Sequence, residues 1–188
     1  MKKTLLILSI AVLGVFLGSP VMGQSNNQGT ITQNLSLGLR EVALLSASAT
    51  TITLILVPDA VGLAVKSSVS DSSARLVISS VITSATRTLS ASVSAIPPGT
   101  TIKMQALDPN TNFKGTRGTY LPAATLPLTT GTAIDIITGI GSCYSGNAVG
   151  DGYRLRYIWG LDLAGNYADV KASGGTSVVV TLTISAAV

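Results

Sequence analysis

The chain is 188 residues long, with 12 Lys and Arg against 8 Asp and Glu and no His. Without imidazole, Ser-His-Asp and Cys-His catalysis and the commonest zinc sites are excluded. Charged residues make up only 11% of the sequence and there is a single Cys, so no intrachain disulfide can form and an apolar core has to supply the stability.

The first 23 residues read as a secretory signal peptide. Lys2 and Lys3 give a basic start, "TLLILSIAVLGVFLG" an apolar stretch, and Val21 and Gly23 the small residues ahead of a cut. The apolar stretch is short for a membrane span. Residues 24–188 are then expected to form one β-sandwich domain outside the cytoplasm, extracellular, at the cell surface or in the periplasm. Removal of the two lysines leaves ten basic residues against eight acidic ones. The ten are dispersed along the chain, with no nucleic-acid footprint.

The dominant period after the signal is two. In "ITQNLSLGLR", Ile31, Leu35, Leu37 and Leu39 fall on one side, with Thr32, Asn34, Ser36 and Arg40 on the other. "TITLILV" groups Ile52, Leu54 and Leu56. The next stretch holds either a short helix near Val61–Lys66 or, as its Ser and β-branched content favours, loop and strand. Ser67–Ser73 reads as a loop. "TLSASVSA", "TIKMQAL" and "YRLRYIWGLDL" alternate again, and the chain closes on "TSVVVTLTISAAV". There Val178, Val180, Leu182 and Ile184 alternate with Val179, Thr181, Thr183 and Ser185. Such alternation predicts strands with one face in a core and one in water. Turn chemistry falls between the runs, in "AIPPGT", "DPNTN", "TTGT", "GNAVGDG" and "ASGGT". The fold class is all-β: an Ig-like or fimbrial-type antiparallel β-sandwich of roughly eight to ten strands.

No reactive constellation stands out, and no catalytic, metal or cofactor site is expected. Cys143, in "GIGSCYSGN", is flanked by small residues and reads as a buried small side chain or a loop thiol. The carboxylates lie mainly in turns, where Asp bonds nearby backbone amides. "DPNTN" supplies Asp108, Asn110 and Asn112 at calcium-loop spacing, but it has Phe113 at the sixth position and no acidic twelfth residue. Among the aromatics, Tyr153, Tyr157 and Trp159 share strand parity and read as core. Tyr144 and Tyr167 lie at turns and are the candidate ligand surface.

The order of "REVALL", "SVSAIPPGTTIKMQA", "GIGSCYSGNAVGDGYRLRYIWGLD" and "SVVVTLTISAAV" resembles a group of uncharacterised secreted bacterial β-sandwich proteins. More loosely, the chain is similar to the subunits of bacterial fimbriae (pili), in which one subunit lends a strand to the next. It departs from them in lacking paired cysteines. The resemblance implies a secreted, non-enzymatic structural or adhesive surface protein whose partners are other copies or related subunits, with surface glycans or proteins as further partners. Ile31, Leu35, Leu37 and Leu39 would be the lent strand, and Val178, Val180, Leu182 and Ile184 would line the groove that receives it. The alternative is a monomeric carbohydrate- or protein-binding β-sandwich module that closes both terminal strands into its own sheets.

Overall fold

The computed structural model describes residues 31–120, 125–162, 164–165, 167–172 and 174–186. The predicted signal peptide, residues 1–23, lies outside them. The chain divides into two units, Met1–Gly38 and Leu39–Val188. The described part of the first, residues 31–38, contains neither helix nor strand.

The described residues of the second unit carry twelve strands: β1 (Val42–Ala47), β2 (Ser68–Asp71), β3 (Arg75–Val81), β4 (Arg87–Val93), β5 (Thr100–Leu107), β6 (Lys114–Gly115), β7 (Thr119–Tyr120), β8 (Leu126–Pro127), β9 (Ile134–Ile140), β10 (Cys143–Tyr144), β11 (Tyr153–Leu161) and β12 (Val180–Ala186). A single turn of 3-10 helix spans Tyr167–Asp169. The strands form two antiparallel sheets, as the period-two pattern predicts. Eight build the larger sheet around β3, β11 and β5, and four build the smaller in the order β12-β4-β9-β7.

Two of the larger sheet's strands are single runs that have been interrupted. Asp71 pairs with Tyr157 and Arg75 with Arg154. Four steps on one strand therefore face three on the other, so β2 and β3 are one strand broken by a bulge at 72–74. The Asp71 carboxylate fixes that bulge by accepting from the Ser73 amide at 2.9 Å and its hydroxyl at 2.6 Å. Opposite β3, Cys143 pairs with Ser80 and Tyr144 with Ser79, and the Ser145 amide donates to the Ile78 carbonyl. The chain then leaves the ladder and returns with Tyr153 opposite Leu76. Strands β10 and β11 are thus one line of pairing with an excursion between them. Gly152 makes the re-entry possible. Its φ is +83°, and a Cβ there would sit 2.1 Å from the Leu76 carbonyl oxygen.

The core lies between the sheets. Leu76 and Ile78 of β3, Met104 of β5, and Tyr153 and Leu155 of β11 meet Leu89, Ala91 and Val93 of β4 and Ile137 and Ile140 of β9, all buried. Alternation along β4 and the first half of β11 explains why both are legible as strands. The Tyr153 ring packs edge-on against Phe113 and Tyr120, and its hydroxyl donates to the Arg117 carbonyl. Tyr157 and Trp159 pack half-buried against the same core.

Three expectations are corrected. "ITQNLSLGLR" forms no strand, and the first strand begins only at Val42. Ile31, Leu35, Leu37 and Leu39 are 79–86% exposed. "TITLILV" is not a strand either, although Ile52, Leu54 and Leu56 are half-buried while the residues between them are exposed. Both segments have strand periodicity without a ladder partner, and an apolar alternation needs one to become a sheet. Conversely, the Ser-rich stretch read as a loop contains β2, which is held against β11. Residues 61–63 form a turn and a bend, and Val65 makes an isolated antiparallel bridge to Pro58, so no helix forms there.

Candidate functional site

The last strand pairs within its own chain. Strand β12 runs antiparallel to β4 in continuous register, from Val180 opposite Val93 to Ala186 opposite Arg87. Just before it, the Ser94 amide donates to the Val179 carbonyl at 2.9 Å, and the Val179 amide donates to the Ser94 hydroxyl at 3.0 Å. The opposite edge of β12 has no main-chain partner among the described residues. The same holds for the outer edge of β1, which pairs with β3 alone. The two edges approach each other across the gap between the sheets. Here the core thins. Val180, Leu182, Ile184 and Leu45 are only half-buried, as is Val178 just before β12, whereas Leu89, Ala91 and Val93 on β4 are fully buried. Unpaired main-chain groups backed by half-covered apolar side chains are the feature that strand addition uses in general.

Tyr144 and Tyr167 are both exposed, at 56% and 53%, but they stand on different elements. Tyr144 lies on β10 between Ser79 and Lys114 and borders a shallow depression with them and Ser142. Tyr167, in the 3-10 turn, accepts a hydrogen bond at its hydroxyl from the Val65 amide at 3.2 Å. Cys143 is 7% exposed, and burial pushes its thiol pKa up. A thiol held protonated is a poor nucleophile.

The sequence pattern does not reveal a clasp around Asp151, which is 3% exposed. Its carboxylate accepts from the side-chain amides of Asn112, at 2.9 Å, and Asn110, and from the Ala148 backbone amide at 2.8 Å. These bonds, that from Asn112 foremost, hold its pKa below the usual carboxylate value against the opposing effect of burial. "DPNTN" is therefore the donor half of a loop-to-loop tie. The only sequence signal is the pairing of an Asn-rich turn with a second turn rich in Gly and Asp.

Among the described residues, no three of His, Cys, Asp and Glu are grouped to hold a metal ion, and no helix is long and apolar enough to cross a membrane. No family model, curated protein or solved structure matches the chain.

Proposed function

We propose that the protein is a secreted, fimbria-like structural subunit that joins to other copies by strand pairing. The segment Ile31–Leu39 of one copy would lie along the open edge of β12 in the next. Its alternating leucines would cover Val178, Val180, Leu182 and Ile184. The observation that carries this reading is complementary exposure within one sequence: an apolar, strand-patterned segment without a ladder, and an open edge lined with half-buried apolar side chains. Main-chain hydrogen bonds would set the register and the side chains would provide the affinity. Each buried Leu or Ile contributes about 1.5–3 kcal/mol, so four of them offset a substantial part of the entropy lost on joining.

The test is size-exclusion chromatography with light scattering on residues 24–188 beside a shortened chain starting at Arg40. Large species from the first and a folded monomer from the second are expected. A monomeric first would overturn the reading and favour the monomeric binding module, whether or not the second folds. That second reading draws on Tyr144, an exposed aromatic flanked by a lysine and serines on an open sheet face. In either case the protein is read as non-enzymatic.

A further inference from the structure

The ten basic residues after the signal segment are scattered in sequence, but the ladder gathers five of them. Residues directly opposite each other in an antiparallel pair share a face. Arg154 stands opposite both Arg75 on β3 and Leu107 on β5, Arg156 opposite Gln105, and Ile158 opposite Lys103. On the other half of the sheet, Lys114 is opposite Tyr144, Tyr144 opposite Ser79, and Ser79 opposite Leu44. On β3, Arg75 and Ser79 have the parity opposite to the buried Leu76, Ile78 and Ser80. Arg75, Lys103, Lys114, Arg154 and Arg156 therefore all project from the outer face of the larger sheet.

Among the described residues, no Asp or Glu occupies a strand position on that face. Among the described residues, the ion pairs are Lys66 with Asp59 and Arg87 with Glu41, and neither involves the five. The Arg156 guanidinium donates to the Ser70 hydroxyl, at 3.3 Å. The outer face of the smaller sheet is chemically different. It carries Thr88, Ser90 and Ser92 beside Thr181, Thr183 and Ser185, with Asp135 opposite Ser90. Cations placed directly opposite, as Arg75 and Arg154 are, destabilise a sheet. Folding does not account for them, and departures of this kind concentrate where a protein meets a ligand.

We propose that the outer face of the larger sheet binds a linear acidic polysaccharide, a sugar chain bearing carboxylate or sulfate groups. Neighbouring strands stand about 4.8 Å apart, and residues two apart on one strand are separated by about 7 Å. The result is a flat lattice of cations for an extended anionic chain. The guanidinium forks pair with carboxylate or sulfate in a bidentate manner. The hydroxyls of Ser68, Ser70, Ser79 and Thr101 lie on the same face to meet sugar hydroxyls. Two shallow depressions flank the arginines, one holding Lys103 with Ser68 and Thr101, the other Lys114 with Tyr144. A nucleic acid fits less well, because non-specific single-strand binding uses a series of aromatic platforms and this face has one exposed aromatic. Binding at this face is independent of how copies of the chain join.

The experiment measures binding of the purified protein to polygalacturonate, dextran sulfate, neutral dextran and double-stranded DNA at several salt concentrations. Salt-sensitive binding to either acidic polymer and none to neutral dextran is expected. The Arg154→Gln/Arg156→Gln variant should lose about tenfold in affinity or more, since hydrogen bonds to charged groups are among the strongest. Thr181→Glu/Ser185→Glu lowers the net charge by the same two units at exposed positions on the outer face of the smaller sheet and should stay within about twofold, as expected if the local field and not net charge decides. Circular dichroism confirms that both variants are folded. If Arg154→Gln/Arg156→Gln does not fold, Lys103→Gln/Lys114→Gln takes its place with the same expected loss. Equal losses in the two kinds of variant, no binding to either acidic polymer, or tighter binding to DNA than to both would each overturn the proposal.

Discussion

The Asn112 side-chain amide donates to the Asp151 carboxylate at 2.9 Å across 39 residues of sequence. With Asn110 and the Ala148 amide, it ties the turn after β5 to the excursion between β10 and β11. The tie is charge-assisted. Because the folded pKa is depressed, its stabilisation is fully present above the unfolded carboxylate pKa and is lost as pH falls through the folded value. Thermal melts should therefore show Asp151→Asn below the parent at neutral pH. The gap should narrow on acidification. A gap that is constant with pH would mean that the carboxylate charge contributes nothing.

Leu37 is 83% exposed, so Leu37→Asp should leave the melting temperature of an isolated subunit unchanged. Under the strand-pairing reading it should also abolish the large species seen by light scattering. Leu182, half-buried against the core, should respond differently. Leu182→Asp places a charge in an apolar setting and costs roughly 1–3 kcal/mol or more, lowering stability as well as association. Unchanged assembly in Leu37→Asp would remove the proposed role of that segment.

Arg154 faces Arg75 directly. Arg154→Gln removes the repulsion and should raise stability by about 0.2–1 kcal/mol, as read by urea denaturation at low ionic strength. Added salt should shrink the gain. A loss of stability would show that the arginine stems or their hydrogen bonds matter more than their charges.

Gly152→Ala strikes at the re-entry point of β11. The residue has φ +83°, and the added methyl would meet the Leu76 carbonyl at 2.1 Å. Backbone strain alone is worth about 1–3 kcal/mol, and the clash adds to it. Chemical denaturation should show a loss at least this large. Gly150 also has a positive φ, but a methyl added there would meet open space, so Gly150→Ala should be the milder of the two.

Much of the sandwich is legible in the sequence because period two reports which residues face a core. β4, β5, β11 and β12 emerge from it with their inward residues identified. The same period misleads at "ITQNLSLGLR" and "TITLILV", since alternation describes two faces and says nothing about a partner strand. The bulge at 72–74 hides β2 within serines, and its logic needs the opposite strand to be seen. Arg154 and Arg156 stand two apart in "YRLRY" and so share a face by inspection. Only the register adds Arg75, which lies 79 residues earlier. The Asp151 clasp is hidden in the same way, because its donors come from two separate loops.

Ser145 and Tyr153 occupy rungs only two apart on β3, opposite Ile78 and Leu76. Whatever the chain does between them leaves every other pairing in register. Loop length is thereby uncoupled from sheet geometry, and Val149 stands fully exposed in the excursion. Val149 itself sits inside the turn that the Ala148 amide closes on the Asp151 carboxylate, so residues added at the exposed Asn147, ahead of that turn, would extend into solvent without moving a strand. The fold contains a display position, a place where new sequence can be tried while the scaffold stays the same.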